Sequence, residues 1–261
     1  MAFSEAELER YARHIVLREI GGPGQAALKA ADVLVVGAGG LGSPALLYMA
    51  AAGVGTLGVL DDDHVSLSNL QRQVLHDTAR VGALKTESAA AALGALNPLV
   101  RVETHALRLD EDNAASLIGG YDLVLDGSDS FATRALVNRN CVALKRPLVS
   151  AAIGQWDGQV SVFAPHLGGP CYACLFPTPP AAGLAPSCAE AGVLGALAGV
   201  VGAIQAAEAV KLITGAGQPL IGRLWLHDAL AAETRTIGVP RNRACAVCGA
   251  DEAESRASSG N

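Results

Sequence analysis

The run Val33-Leu34-Val35-Val36 passes straight into Gly37-Ala38-Gly39-Gly40-Leu41-Gly42, and an alanine-rich stretch follows as far as Ala52. The first run reads as a short buried strand and the last as a helix. A Gly-x-Gly-x-x-Gly turn between the two admits few architectures. The backbone must reverse tightly beside the strand it has left and present free amides at the start of a helix. A second strand over 57–60 ends in Asp61-Asp62-Asp63. The pattern continues with a helix over 84–96, strands over 100–105 and 123–125, a helix over 131–144 and a strand over 148–152. Strands alternating with helices in this way predict βαβ units and a parallel sheet covered on both faces.

Ser4 and Glu7 form a capping-box pattern ahead of a helix reaching Leu17, which Gly21-Gly22-Pro23-Gly24 is expected to end. Beyond residue 152 the character changes. A Trp156-Asp157-Gly158 turn leads into a strand over 159–163, and a proline-rich loop over 175–187 precedes a long helix over 189–214. Residues 223–227 and 233–237 read as an antiparallel pair, and 251–261 as a polar, disordered tail. No repeat and no long linker divides the chain. The expected fold class is α/β, a Rossmann-like mostly parallel sheet with helices on both faces plus C-terminal antiparallel strands. It fills one domain over 1–250, with N-terminal helices in 4–31, a nucleotide-binding core in 32–165 and a distinct C-terminal part in 166–250.

Composition removes several classes of function. With 51% hydrophobic and 17% charged residues in 261, the chain is not disordered. A net charge of -6 and no block of Lys or Arg argue against nucleic acid as a partner. The acidic N-terminus lacks an export signal. The apolar stretch over 191–204 falls short of a span, and Gln205, Glu208 and Lys211 then follow at helical spacing. A buried helix, no membrane partner and a cytoplasmic location are therefore expected.

Asp61 stands about 20 positions past the glycine turn, where an acidic residue holds a ribose hydroxyl. A glycine-rich turn of some other α/β fold is the alternative. No Gly-x-x-x-x-Gly-Lys-Ser/Thr occurs, which disfavours a P-loop enzyme. Arg72 and Lys85 suit a triphosphate, because they can neutralise oxygens around a phosphoryl centre under attack. Asp129 lies just past a strand's carboxyl end and can hold Mg²⁺ there.

Six cysteines remain. Cys171-Tyr-Ala-Cys174 and Cys245-Ala-Val-Cys248 carry the two-residue spacing of zinc knuckles, and four thiolates leave no open position on the metal. That zinc is therefore structural, tying the C-terminal strands to the loop after residue 170. Two redox pairs or two disulfides are the alternatives. Cys141 reads as a small core residue. Cys188, placed at the start of the long helix, is equally readable as inert or as a reactive thiol. His14, His64, His76, His105 and His227 read as structural or surface residues.

As a set, the residues resemble the MoeB/ThiF/HesA family of E1-like adenylyltransferases over roughly residues 5–249. The likeness is carried by Arg10 to Arg18, Val36 to Gly42, Asp61 to Asp63, Ser68 to Gln73, Gly82 to Lys85, Asp126 to Ser130, both cysteine pairs and Ser187 to Gly192. It implies an enzyme that binds ATP with Mg²⁺ and adenylates the C-terminal Gly-Gly carboxylate of a ubiquitin-like sulfur carrier protein, releasing pyrophosphate. The pathway would be molybdopterin or thiamine biosynthesis.

The resemblance implies that Gly37, Gly39, Gly40, Gly42, Asp61, Asp63, Ser68, Asn69, Gln71, Arg72, Lys85, Asp129 and Ser130 bind the nucleotide. Arg13 would reach the nucleotide of the other subunit of a homodimer. Residues 166–250 would combine the zinc clip with carrier binding. Ser130 departs from the family's usual Asn. The chain stops after the zinc clip, so a separate sulfur donor protein is expected, and Cys188 matches the position of a thiol intermediate in some members. Competing readings are an NAD(P)-dependent oxidoreductase, a non-enzymatic zinc scaffold, and a tRNA-modifying dehydratase of the same family.

Overall fold

The computed structural model describes residues 3–178 and 191–249. One eight-stranded sheet organises them, in the order β3-β2-β1-β4-β5-β6-β7-β8. The strands are β1 (Asp32–Val36), β2 (Thr56–Leu60), β3 (Arg101–His105), β4 (Leu123–Asp126), β5 (Leu148–Ile153), β6 (Asp157–Phe163), β7 (Arg223–Asp228) and β8 (Glu233–Gly238). The first five pair in parallel and the last three continue antiparallel. The sequence-derived alternation is therefore correct, and the 223–228 and 233–238 segments pair as expected.

Connectivity defines a functional edge. From β1 the chain moves outward to β2 and β3, then crosses back to lay β4 on the other side of β1. That reversal opens a crevice outside the carboxyl ends of β1 and β4, where open α/β sheets bind ligands. Register makes the edge flush, because Val36 lies opposite both Leu60 and Asp126. The residues that follow these three, Gly37, Asp61 and Gly127, consequently start side by side.

Helices α1 (Glu5–Ile15), α2 (Gly21–Ala30), α3 (Gly42–Ala52), α4 (Lys85–Leu96), α5 (Ala114–Gly119), α6 (Phe131–Ala143), α7 (Tyr172–Leu175) and α8 (Gly195–Thr214) cover the sheet. Two apolar clusters form its faces. One is built around Leu46, Met49, Leu93, Leu197 and Val201, the other around Ile118, Leu136, Val137 and Phe163. Helix α8 is apolar because it packs on α3, β5 and β6. Its small residues set the distance: a Cβ at Gly202 would fall 2.5 Å from the Leu41 carbonyl oxygen, and one at Gly195 would fall 2.3 Å from that of Gln71.

Three expectations need correction. Gly21-Gly22-Pro23-Gly24 does not end the first helix, which stops at Ile15 with Val16 as its C-cap; it forms the first turn of α2, where proline's missing N–H costs nothing. The long helix starts at Gly195 rather than near 189, since Gly192 takes a left-handed φ of 78° and the N–H of Leu194 donates to the Gln155 carbonyl. Helix α5 was not anticipated, because six residues are too few to carry a helical period. Cys188, the tail over 251–261 and most of the proline-rich loop lie outside the described residues.

Candidate active site

The glycine turn is built by close approach. Gly37 adopts φ 92°, and a Cβ on Gly42 would fall 1.8 Å from the Gly37 carbonyl oxygen. No side chain fits at Gly42, so α3 starts hard against the end of β1. The Gly37 N–H donates to the Leu60 carbonyl at 2.7 Å, and the Gly127 N–H to that of Val36 at 3.0 Å. These bonds extend the sheet by one residue and fix the direction in which the turn leaves. Gly40 faces Arg72 and α8, where a Cβ would lie 3.5 Å from Arg72 Cγ and from Ala198 Cβ.

Asp61 completes the turn from β2. Its Oδ2 accepts from the Ala38 N–H at 2.8 Å and its Oδ1 from the Asp63 N–H at 2.9 Å. Burial pushes its carboxyl above the usual range, against the opposing charge of Lys85. Lys85, the first residue of α4, lies 2.8 Å from Asp63 Oδ2 and 3.8 Å from Asp61 Oδ1. A loop running from Asp63 to Leu84 thus returns a buried cation to the glycine turn. The Lys85 N–H also donates to the Asp63 carbonyl at 3.0 Å, which closes that loop.

Within the loop, Leu67–Asn69 forms a 3₁₀ turn, and the Asn69 carbonyl accepts from the N–H groups of Arg72 and Gln73. The Arg72 guanidinium is half-buried and reaches only the Ser68 carbonyl, at 3.3 Å; it makes no ion pair among the described residues. Such a cation is available to a ligand. Ser68 is exposed and its hydroxyl is 3.0 Å from that of Ser66, and Gln71 packs against the start of α8.

Asp129 is exposed in the loop after β4, and the Ser130 hydroxyl caps α6 by accepting from the Thr133 N–H at 3.4 Å. The sequence-predicted residues from Gly37 to Asp129 thus meet at one edge. Arg13 does not join them. It is exposed on α1, whose neighbour Tyr11 accepts from Asn97 Nδ2 at 2.9 Å and fills the space beside Gly53, at the far end of α3.

The Asp129 loop has support that sequence reading missed. Asp126 is fully buried, with one carboxylate oxygen accepting from the Ser128 N–H at 2.9 Å and the other unpartnered. Burial raises its pKa, and the positive charge of Arg134 counters the rise. Arg134 donates through Nε and Nη2 to the Ser128 carbonyl at 3.2 and 2.7 Å. Gln205, central in α8, donates to the carbonyls of Asp126 and Val149 at 2.9 Å each. Arg134 sits one turn inside a predicted helix and Gln205 on an apolar one. A buried polar residue on a core face was the available signal. His76, read as structural or surface, is buried.

The four cysteines converge. The Sγ atoms of Cys171 and Cys245 lie 3.6 Å apart, Cys174 and Cys248 3.4 Å, and Cys171 and Cys174 3.8 Å. All four fall within 4.8 Å of one another. A zinc–sulfur bond of about 2.3 Å gives a tetrahedral edge of about 3.8 Å, so the set fits a tetrahedral metal. None of the four is in a disulfide. Burial pushes Cys171 upward and Cys248 up to about 11, whereas at Cys245 the amides of Cys248 and Val247 outweigh burial and bring it to about 7. Gly249 is required here, because a Cβ would fall 2.6 Å from the Cys245 carbonyl oxygen.

The chain has relatives over nearly its whole length. The profile of the ThiF family matches residues 11–247. A sulfur carrier protein adenylyltransferase of Thermus thermophilus is 54% identical over 253 residues, 95% of this chain and 93% of the relative. A probable adenylyltransferase/sulfurtransferase MoeZ of Mycobacterium tuberculosis is 51% identical over 92% of this chain, which spans 62% of MoeZ. Among solved structures, E. coli MccB with ATP superposes with a TM-score of 0.79 at 25% identity, covering 92% of this chain and 74% of MccB.

Proposed function

The chain belongs to the ThiF family, and from that premise we propose that it adenylates the C-terminal glycine carboxylate of a ubiquitin-like sulfur carrier protein. ATP is the donor and pyrophosphate the leaving group; the product serves sulfur transfer in molybdopterin or thiamine biosynthesis. The observation that carries this reading is the meeting of the Gly37–Gly42 turn, Asp61, Arg72, Lys85 and the Asp129 loop at one sheet edge. The 54% identity to a sulfur carrier protein adenylyltransferase supports the substrate class.

The chemistry follows from charge. A carrier carboxylate oxygen attacks the α-phosphorus, a new C–O–P link forms, and the bond to the β-phosphate oxygen breaks. The nucleophile is ionised at neutral pH, so no general base is needed. The obstacle is repulsion between anions, which fixed cations and positioning lower. Asp61 would hold the ribose, the amides of the glycine turn would meet the phosphates, and Asn69, Arg72 and Lys85 would neutralise the triphosphate. Gly37, Gly39, Gly40 and Gly42 would let the backbone approach; Asp63, Ser68, Gln71 and Ser130 would line the site. Mg²⁺ held by Asp129 would supply charge neutralisation at the triphosphate.

Arg13 would act in the site of a second copy, which fits its position away from its own glycine turn. The four cysteines would hold structural Zn²⁺, joining the segment after β8 to α7. Residues 1–250 would work as one adenylation unit, with 166–250 receiving the carrier. A separate protein would donate sulfur, and Cys188 is a candidate for a covalent intermediate.

Radiolabelled pyrophosphate exchange into ATP tests the reading. Exchange should require both MgATP and a carrier ending in Gly-Gly, and should vanish with a carrier lacking the two glycines. Exchange indifferent to that tail would refute the substrate, and tight NADH binding without ATP binding would favour an oxidoreductase.

A further inference from the structure

His76 occupies a junction that no role in the adenylation scheme explains. It is 7% exposed, four residues after Arg72, and its N–H donates to the Gln73 carbonyl at 3.1 Å. Its Nε2 lies 2.9 Å from the Ala38 carbonyl oxygen, inside the glycine turn. Its Nδ1 lies 2.9 Å from the Ser88 hydroxyl, on α4, one helical turn beyond Lys85. A carbonyl only accepts, so Nε2 carries the hydrogen. In a neutral ring Nδ1 then accepts, and Ser88 donates. Both ring nitrogens are satisfied in one tautomer only.

That tautomer clamps one peptide residue from two sides. The Ala38 N–H donates to Asp61 and the Ala38 carbonyl accepts from His76. The three segments that His76 touches are those bearing the glycine turn, Arg72 and Lys85. Burial keeps the ring neutral by pushing its pKa down, against the Ala38 bond, and the Lys85 charge acts in the same direction while Asp61 and Asp77 oppose it. Being enclosed, His76 cannot exchange a proton with a bound nucleotide.

We propose that His76 is a positioning residue: acting through the Ala38 carbonyl and the Ser88 hydroxyl, it holds the glycine turn, the Arg72 segment and the Lys85 helix in one register for the nucleotide. This rests on the ATP-binding reading of the site, so the test includes a readout that needs no nucleotide.

The experiment compares wild type with His76→Leu, His76→Gln, His76→Asn and Ser88→Ala. Amide hydrogen exchange at Ala38 is followed by NMR without nucleotide, and KM for MgATP and kcat are taken from pyrophosphate exchange with a carrier ending in Gly-Gly. His76→Leu should speed Ala38 exchange and raise KM about tenfold, with a smaller change in kcat, because the Ala38 carbonyl loses its 2.9 Å donor and keeps only the Ser43 hydroxyl at 3.4 Å. Glutamine, whose amide reaches the Nε2 position, should restore most of both; asparagine, too short to reach Ala38, should not. Ser88→Ala should raise KM in wild type yet add nothing in the His76→Gln background.

A folded His76→Leu protein with unchanged Ala38 exchange and unchanged KM would overturn the proposal. So would a variant that loses thermal stability while KM stays fixed, since that is a purely structural role. Should the leucine variant not fold, the glutamine–asparagine contrast decides by the same two readouts. If wild type binds no MgATP, the functional reading fails, and Ala38 exchange still decides whether the clamp exists.

Discussion

The Lys85 ammonium donates to the Asp63 carboxylate at 2.8 Å, although the lysine side chain is 6% exposed and the aspartate 70%. A buried cation is thus tethered to an anion that faces solvent, with Asp61 3.8 Å away on its inner side. The tether can exchange partners. On the proposed function, a triphosphate arriving from solvent would compete with Asp63 for Lys85 while Asp61 stayed in place, bonded to the Ala38 amide.

Lys85→Met should therefore leave a folded protein that has lost its chemistry. Removing a preorganised cation from the developing charge should lower kcat for pyrophosphate exchange by about 100-fold or more. Lys85→Arg should not restore it, because the guanidinium fork needs room that a nearly enclosed ammonium does not have. A steady-state comparison of the two variants checks this. Exchange by Lys85→Met within a few-fold of wild type would remove Lys85 from the triphosphate site.

Arg134 should matter to magnesium without touching it. Its two bonds fix the Ser128 carbonyl, one residue before Asp129, and its charge offsets the enclosed Asp126. Arg134→Met should cost on the order of 1–3 kcal/mol of stability and raise the Mg²⁺ concentration needed for half-maximal exchange. A magnesium titration at fixed ATP measures the second effect. An unchanged midpoint would confine Arg134 to a folding role.

The cysteine cluster should carry one metal ion per chain. Metal analysis by mass spectrometry should find one zinc, and Cys245→Ser or prolonged chelation should remove it and lower the melting temperature. Losing a structural zinc removes folding free energy outright. A protein without bound metal whose melting temperature ignores chelation would favour a role for the thiols other than metal binding.

The N-terminal helix should loosen in acid. Glu7 lies 2.6 Å from Lys29 on α2 and completes a capping box with Ser4; the Lys29 bond, followed by the Ser4 amide, holds its carboxyl down at about 2. A carboxylate depressed in the folded state stabilises fully above its unfolded value of 4.5 and loses that contribution as pH falls towards 2. Glu7→Gln should thus melt below wild type at pH 6, with the gap closing between pH 4.5 and 2. Parallel thermal melts across that range would show it, and a gap independent of pH would assign the difference to something other than ionisation.

Much of this was legible from spacing. The glycine turn, Asp61 and the cysteine pairs are constrained by local backbone geometry or by a fixed coordination shell, so sequence distance alone reveals them. Arg72, Lys85 and Asp129 needed only the strand alternation that lays carboxyl ends along one edge. Gln205 and His76 were not legible, because each works by a hydrogen bond to a carbonyl far away in the chain; Arg134 reaches back only six residues, but spacing does not show that its side chain folds onto the Ser128 carbonyl. Gln205 and Asp126, for example, are separated by 79 positions. The true start of α8 was missed for a related reason: Gly192 turns left-handed and Leu194 bonds to Gln155, and neither feature disturbs the apolar pattern.

Adenylation is read most directly from the intact mass of the carrier after incubation with the enzyme and MgATP. A carrier ending in Gly-Gly should gain one adenylyl group, and Arg72→Ala, folded and of unchanged melting temperature, should yield none. A carrier whose mass stays fixed with wild-type enzyme, or an Arg72→Ala variant that adenylates it at the wild-type rate, would contradict the account.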